Sequence, residues 1–405
     1  MLLVRQESMP LAETRRTGSA HSLSKASHAA FVPIGIVTVL LGQLLPILSA
    51  RWALNDSQAG ALFSAQFLGA TVGVLLSGEM VSRWGFRFAI ATGLLAMAVG
   101  VGTLPFSSHV AGLICIFSYG TGLGLAIPAI NLFVAALNPE RSGAALSRLN
   151  FSWSVGAVAC PFIVAAAGKV DKIPLFLVML SGFLLLVLLW IVAGSSSFIE
   201  PATARKDEQA DGTALHGNWR SLVVLAALFF LYVGTENGFG GWLASYAQRL
   251  GTSSWTLPVM MPSFFYAALM LGRWMAPLVL RKTDEIKTAR AGLSLACIGM
   301  AGLVLSHTMP LAVSSISLAG LGLAAVYPIT ISRLSHEFGP GAARVGSLMF
   351  TMANFGGASL PWLVGYCSQR FHDLGVGLAV PLVATVVMYA LYRKLRGGLS
   401  EAPDE

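Results

Sequence analysis

Charge is scarce in this 405-residue chain: Asp, Glu, Lys and Arg make up 11% of it, against 55% hydrophobic residues. So little polar surface cannot cover a water-soluble globule. With a mean hydropathy of +0.73, the composition is that of an all-α integral membrane protein. Cysteine is sparse too. Cys115, Cys160, Cys297 and Cys367 all fall in apolar runs without metal-ligand spacing, so they read as small buried hydrophobes rather than disulfides or ligands. No phosphate-cradling glycine loop, metal-ligand cluster or nucleophile and base pair is found. The sequence therefore supports neither an enzyme nor a nucleotide-driven pump, and it calls for no cofactor and no metal. The first thirty residues lack the compact apolar core of a cleaved secretion signal and are expected to form a disordered tail.

Long apolar runs, by contrast, are plentiful. A membrane helix needs roughly 20 mostly apolar residues, and windows near 31–50, 58–78, 87–106, 110–136, 144–167, 173–194, 221–248, 256–279, 289–306, 310–332, 345–366 and 375–392 give 12 transmembrane helices. The net charge of +8 is sorted by position. Of the 26 basic residues, 20 fall in segments on the side of residue 1. Only Arg51, Lys169, Lys172, Arg249 and Arg370 fall opposite, and Arg273 lies inside a span. The positive-inside rule then places both termini in the cytoplasm, with the helices in the plasma (inner) membrane, and the basic balance reports topology rather than a nucleic-acid partner.

The long polar segment from Ser195 to Arg220 divides the spans six and six. The expected organisation is a cytoplasmic tail 1–30, a six-helix bundle 31–194, a cytoplasmic linker 195–220, a second bundle 221–392 and a tail 393–405. The halves repeat one another. "GLGLAIP" from Gly122 returns as "GLGLAAVYP" from Gly320 (320 − 122 = 198), and "GAVACP" from Gly156 returns as "GGASLP" from Gly356 (356 − 156 = 200). Gly35, Gly42, Gly73 and Arg83 meet Gly234, Gly241, Gly272 and Lys282 at 199 (234 − 35). Two pseudo-repeated six-helix bundles place a substrate site near mid-membrane between them.

Twelve spans, the six-plus-six split and the basic segment "GEMVSRWGFR", Gly78 to Arg87, resemble the major facilitator superfamily. Gly78, Arg83 and Gly85 match that family's loop pattern, whereas its aspartate is Ser82 here and the first arginine of its closing pair is Phe86. Within the superfamily, "YVGTENGFGGWLASY", "GLGLAIPAINLFVAALNPERSG" and "LNFSWSVGAVACP" resemble the fucose permease-like sugar symporter branch. The carboxylate that this branch places shortly before the position of Asn131 is missing. The resemblance implies gating roles for Gly78, Arg83, Gly85 and Arg87, with Arg83 bonded to carbonyls or an acid on a neighbouring helix end in the outward-facing state.

Glu236 is the sharpest single signal. Counting 1.5 Å per residue, it sits about 24 Å from Arg220 and about 20 Å from Arg249, in mid-membrane. A charge there costs about 2.5–3.5 kcal/mol even on the lenient insertion scale, so the residue is either a proton carrier or a neutral acid bonded to Asn237 or a hydroxyl as glue between helices. Gln43, Gln66, Tyr119, Asn131, Asn150, Asn237 and Asn354 lie on spans that line the cavity in the superfamily. Amides suit the alternating hydroxyls of a sugar, and they equally suit bridges between helices. Trp242 and Gln43 are repeat equivalents (242 − 43 = 199), expected on opposite walls of one cavity, with Trp153 as a flat face for a pyranose ring or a packing residue. Arg273 is expected to snorkel toward the cytoplasm or bond helix-end carbonyls, in a structural or gating role. "GFGG" after Glu236 is expected to let its helix bend, and Pro128, Pro161, Pro328 and Pro361 to set matched kinks.

The sequence thus reads as a monomeric secondary transporter that moves a small polar solute, a sugar or polyol, together with protons. Proton-driven efflux of drugs or metabolites is the alternative, and a transport-dead sensor on the same scaffold is a third class.

Overall fold

The computed structural model describes residues 11–138, 142–169, 171–193, 219–250, 256–306, 308–338 and 342–394. In chain order they form helices α1 (Leu11–Trp52), α2 (Asp56–Thr103), α3 (His109–Leu137), α4 (Ser142–Lys169), α5 (Ile173–Ala193), α6 (Trp219–Gly240), α7 (Leu243–Arg249), α8 (Thr256–Leu280), α9 (Glu285–Val304), α10 (Met309–Leu323), α11 (Val326–Phe338), α12 (Ala342–Phe371), α13 (Leu374–Gly377) and α14 (Ala379–Lys394). Twelve crossings result: α2 supplies the second and third, while α6 with α7, α10 with α11, and α13 with α14 each supply one. Helices meet the demand of a lipid solvent because each satisfies its backbone polar groups internally. Their outward faces are apolar, with Leu75, Ile114, Met179, Leu186, Trp274, Ile298 and Val383 all exposed.

Local chemistry explains where the helices start and break. Asn55 opens α2 with a capping box: its side chain accepts from the Gln58 amide at 2.8 Å, and Gln58 accepts from the Asn55 amide at 3.0 Å. The basic segment Gly78–Arg87 was expected as a loop and is instead helical except at one residue. Gly85 (φ 82°, ψ 168°) takes a left-handed conformation that a Cβ would oppose, and the chain turns there from the second crossing into the third. The expected bend after Glu236 is found where α6 gives way to α7 at Gly241–Trp242. The prolines are less symmetric than expected. The chain breaks at Ala324–Ala325, just before Pro328, whose ring crowds the preceding turn, but Pro128 lies inside the unbroken α3. Pro161 and Pro361 lie inside α4 and α12.

The expected disorder of residues 1–30 is corrected for 11–30, which are helical, with Ala26, Ser27 and Ala30 buried. The 195–220 linker lies outside the described residues apart from Trp219 and Arg220, which open α6, and the 393–405 tail does so apart from Arg393 and Lys394, which end α14.

The repeat is visible as repeated packing. α1 packs on α4 as α6 packs on α12, and α2 packs on α3 and α5 as α9 packs on α10 and α14. A Cβ added to Gly35 or Gly156 would strike the Trp153 or Val32 carbonyl, and one added to their counterparts Gly234 or Gly356 would strike the Gly356 or Phe230 carbonyl. Small residues thus set the same close crossing twice. Between the bundles, α2 packs on α12 and α4 on α8. Gly42 meets its own repeat counterpart, Gly241: a Cβ on the first would lie 2.8 Å from the Cα of the second. That contact marks the pseudo-twofold axis.

Candidate functional site

Glu236 follows Tyr232 by four residues on α6, so both project from one face of the helix. Arg273 on α8 donates from Nη2 to the Tyr232 hydroxyl at 3.2 Å and to Glu236 Oε1 at 3.4 Å. Tyr327, just past the α10–α11 break, stacks on Tyr232 with ring centroids 5.2 Å apart and planes at 30°. Trp153 on α4 comes from the other bundle, and its ring centroid lies 5.9 Å from the Arg273 guanidinium carbon. The side chains of Arg273 and Glu236 are 26% and 13% exposed. A half-buried ion pair, two tyrosines and an indole therefore meet between the bundles.

Arg273 consequently departs from its expected course toward the cytoplasm or helix-end carbonyls. Two opposite charges at this depth are stabilised by each other far more than by separate burial, so the guanidinium reaches Glu236. Glu236 is not bonded to Asn237, whose Nδ2 donates to the Val233 carbonyl at 2.9 Å.

The amides divide by environment. Gln66 and Tyr119, 3% and 1% exposed, form a bridge inside the N-terminal bundle: the Tyr119 hydroxyl donates to Gln66 Oε1, and Gln66 Nε2 donates to the Thr38 carbonyl, both at 3.2 Å. Thr38 Oγ1 accepts from Trp153 Nε1, also at 3.2 Å, and this fixes the indole against α1. Gln43 is fully buried beside the Gly42–Gly241 contact, and neither of its amide atoms has a partner among the described residues. Trp242 is 1% exposed and donates to the Pro361 carbonyl at 3.0 Å. The two do not face each other across an open space as expected, because packing at the pseudo-twofold axis closes that space. Asn131 and Asn150 each donate to the carbonyl four residues back, at 2.9 Å, keeping their oxygens and one N–H for another partner. Asn354 lies half-buried on α12.

The bundles touch unevenly along their length. On the face that carries Asn55, the Arg249 guanidinium grips the Asp56 carboxylate at 2.5 and 3.0 Å, Ser368 donates to the same carboxylate at 2.5 Å, and Gln369 accepts from the Asp56 amide at 3.2 Å. Deeper, Ser64 Oγ donates to the Ala358 carbonyl at 2.7 Å, and Gly357 abuts the Phe67 ring. The opposite face, which carries Gly85, is looser. Apart from its own helix backbone, nothing among the described residues lies within 4 Å of where a Gly78 Cβ would sit. The Arg83 side chain is 66% exposed and pairs with Glu79 on its own helix at 2.6 Å; the bond to a neighbouring helix end is expected of it in the outward-facing state. Helical spacing makes Glu79 the nearest acid and supplies the charge that Ser82 lacks. Arg87 donates to the Val192 carbonyl at the end of α5.

Comparison with known proteins agrees with this architecture. A glucose/galactose transporter of Brucella abortus is 24% identical over 373 residues, 88% of this chain and 89% of that one. Among solved structures, the nucleoside transporter NupG superposes with a TM-score of 0.77 at 14% identity, over 93% of this chain and all of that one. FucP, described as a major facilitator transporter in the outward conformation, superposes at 0.65 with 18% identity over 93% and 99%. Residues 29–361 match the Major Facilitator Superfamily, so this chain, with its doubled six-helix bundle and a polar cluster between the halves, belongs to that family of integral membrane transporters of small solutes.

Proposed function

We propose that the protein carries a sugar or polyol-type solute across the plasma (inner) membrane by alternating access, as a monomer, with Glu236 as the proton-coupling group. The observation that carries this reading is the polar cluster itself: the Glu236–Arg273 pair and Tyr232 from one bundle face Trp153 of the other, at the level where a solute between the bundles is handed from side to side. The similarity to a glucose/galactose transporter supports the solute class.

The contacts described support an inward-facing reading of the state. The bundles are joined from the Asn55 face down to the Trp153–Arg273 contact, and among the described residues Gly78 and Arg83 make no contact with the other bundle at the Gly85 face. The sorting of basic residues supports a cytoplasmic Gly85 face, and with it the inward-facing reading. Asn131, Asn150, Asn237, Asn354 and Trp153 are the side chains we assign to solute contact, and Gln43, without an amide partner among the described residues, would join them only once the bundles part. Gln66, Tyr119 and Trp242 hold the packing around them. Reconstitution into proteoliposomes tests the reading: labelled monosaccharide should accumulate under an inward proton gradient. Dye extrusion under the same gradient without sugar uptake would replace it with the efflux alternative.

A further inference from the structure

Trp153 is held at two points by α1. A Cβ on Gly35 would strike the Trp153 carbonyl, so the close α1–α4 crossing fixes where its main chain lies. Its side chain is held by Thr38, one turn along α1 from Gly35: the indole Nε1 donates to Thr38 Oγ1 at 3.2 Å. With that edge tied to its own bundle, the indole lies under the Arg273 guanidinium of the other, whose carbon is 5.9 Å from the ring centroid. We infer that Thr38 is a positioning residue for the solute: its hydroxyl sets the angle at which Trp153 presents a flat apolar face to the C–H side of a pyranose ring. This rests on the reading of the site given above.

The chemistry of Thr38 suits the role. Its hydroxyl proton goes to the Ile34 carbonyl at 2.7 Å, which leaves the oxygen as an acceptor, and an indole N–H can only donate. Gln66 Nε2 donates to the Thr38 carbonyl at 3.2 Å, so α2 holds the same turn of α1 through its backbone. The repeat separates this bond from the frame. Asn237 is the counterpart of Thr38 (237 − 38 = 199), and it too bonds the carbonyl four residues back, that of Val233, the counterpart of Ile34. The α12 counterpart of Trp153, at the offset of 200, is Ala353. The second half therefore makes the back-bond, and the close crossing through Gly234 and Gly356, with no indole at that place. The Thr38–Trp153 bond is an addition to a crossing that forms without it. Both residues are half-buried, so an indole released from Thr38 can turn its N–H to water, and its face then leaves the solute. An anchored indole has little freedom left to lose when the solute arrives, which is how a pre-ordered site gains affinity.

The experiment measures exchange of labelled D-galactose and D-glucose by the full-length protein in proteoliposomes, giving KM and kcat, with thermal unfolding of the same preparations. Thr38→Val keeps the branched shape and removes the hydroxyl. Its KM for both sugars should rise about 3- to 10-fold, the range of one lost hydrogen bond, with kcat within about twofold. Its melting temperature should stay within about 2 °C of the wild type. Thr38→Ser, which keeps the hydroxyl, should retain the wild-type KM. On a Trp153→Phe background, whose ring has no N–H, adding Thr38→Val should change KM by less than about twofold, because the route through Nε1 is already gone. An unchanged KM in Thr38→Val, an equal rise in Thr38→Ser, or an undiminished rise on the Phe background each overturn the inference, while exchange by the wild type leaves the sugar-transporter reading intact. A Thr38→Val protein that fails to fold or melts far lower assigns the bond to packing and overturns the inference as well. Wild-type protein that exchanges neither sugar overturns both readings.

Discussion

Asp56 and Arg249 are 193 residues apart and belong to different bundles, yet the guanidinium meets both carboxylate oxygens. The pair sits at the rim, with its side chains 19% and 47% exposed for Asp56 and Arg249 respectively, so water screens it. An exposed pair is worth about 0.2–1 kcal/mol, equivalent to a shift of about 1.4- to 5-fold in the balance of two states. Asp56→Asn should raise the population open at the Asn55 face by that factor, read as faster maleimide labelling of Ser64→Cys in a cysteine-free background. The exchanged pair Asp56→Arg/Arg249→Asp should restore slow labelling, and equal labelling in all three would remove the latch.

Closure beneath that rim depends on backbone meeting backbone. A Cβ at position 42 would sit 2.8 Å from the Gly241 Cα, with no flexible side chain to give way. Gly42→Val should hold the bundles apart there, cutting transport at least about tenfold while speeding Ser64→Cys labelling. A variant that transports normally would show that the contact yields without cost.

Glu236→Gln keeps the size of the side chain and its bridge between α6 and α8 but cannot ionise. Accumulation against a gradient under a proton-motive force should vanish, while exchange of labelled solute across the membrane continues. Persistent pH-dependent accumulation would leave Glu236 with the role of joining helices.

Tyr119→Phe separates packing from solute contact. Loss of the hydroxyl leaves Gln66 Oε1 buried without its donor, a penalty of about 1–3 kcal/mol. The melting temperature should fall while solute affinity stays within about twofold. An affinity loss at unchanged stability would return Tyr119 to the solute's surroundings.

Arg83→Ala removes an exposed pair on a single helix, worth about 0.3–0.5 kcal/mol. Stability should hardly change. Transport should slow if Arg83 finds its partner in the outward-facing state, and a stopped-flow comparison of transport rate with equilibrium binding checks this.

The frame was legible because lipid leaves few choices. Twelve apolar runs and a steady offset between halves follow from rules that act on single residues or fixed spacings, while Gly85 was marked only by the family loop pattern. The site was legible one residue at a time. Glu236 stood out by its cost and Arg273 by its place inside a span, but nothing in the sequence says that a position on α8 meets one on α6. That pairing depends on helix rotation, which the packing glycines set in three dimensions. Tyr232 carried a readable signal, four residues before Glu236, as did Glu79, four before Arg83. Tyr327 and Thr38 carried none, since an aromatic or hydroxyl residue in an apolar run is ordinary. Gln43 and Trp242 misled because repeat equivalence locates an axis without saying whether the space around it is open.

Gly42 against Gly241 is the kind of contact that two identical six-helix chains make when they associate about a twofold axis, each presenting the same patch to the other. The surface that closes the molecule therefore has the form of a homodimer interface held within one polypeptide. The charged pair does not share that ancestry, because the equivalents of Glu236 and Arg273 in the first half are Val37 (236 − 199) and Val74 (273 − 199). A chain built from two copies of the first bundle would carry the paired glycines at the axis and present only valine where the pair now stands.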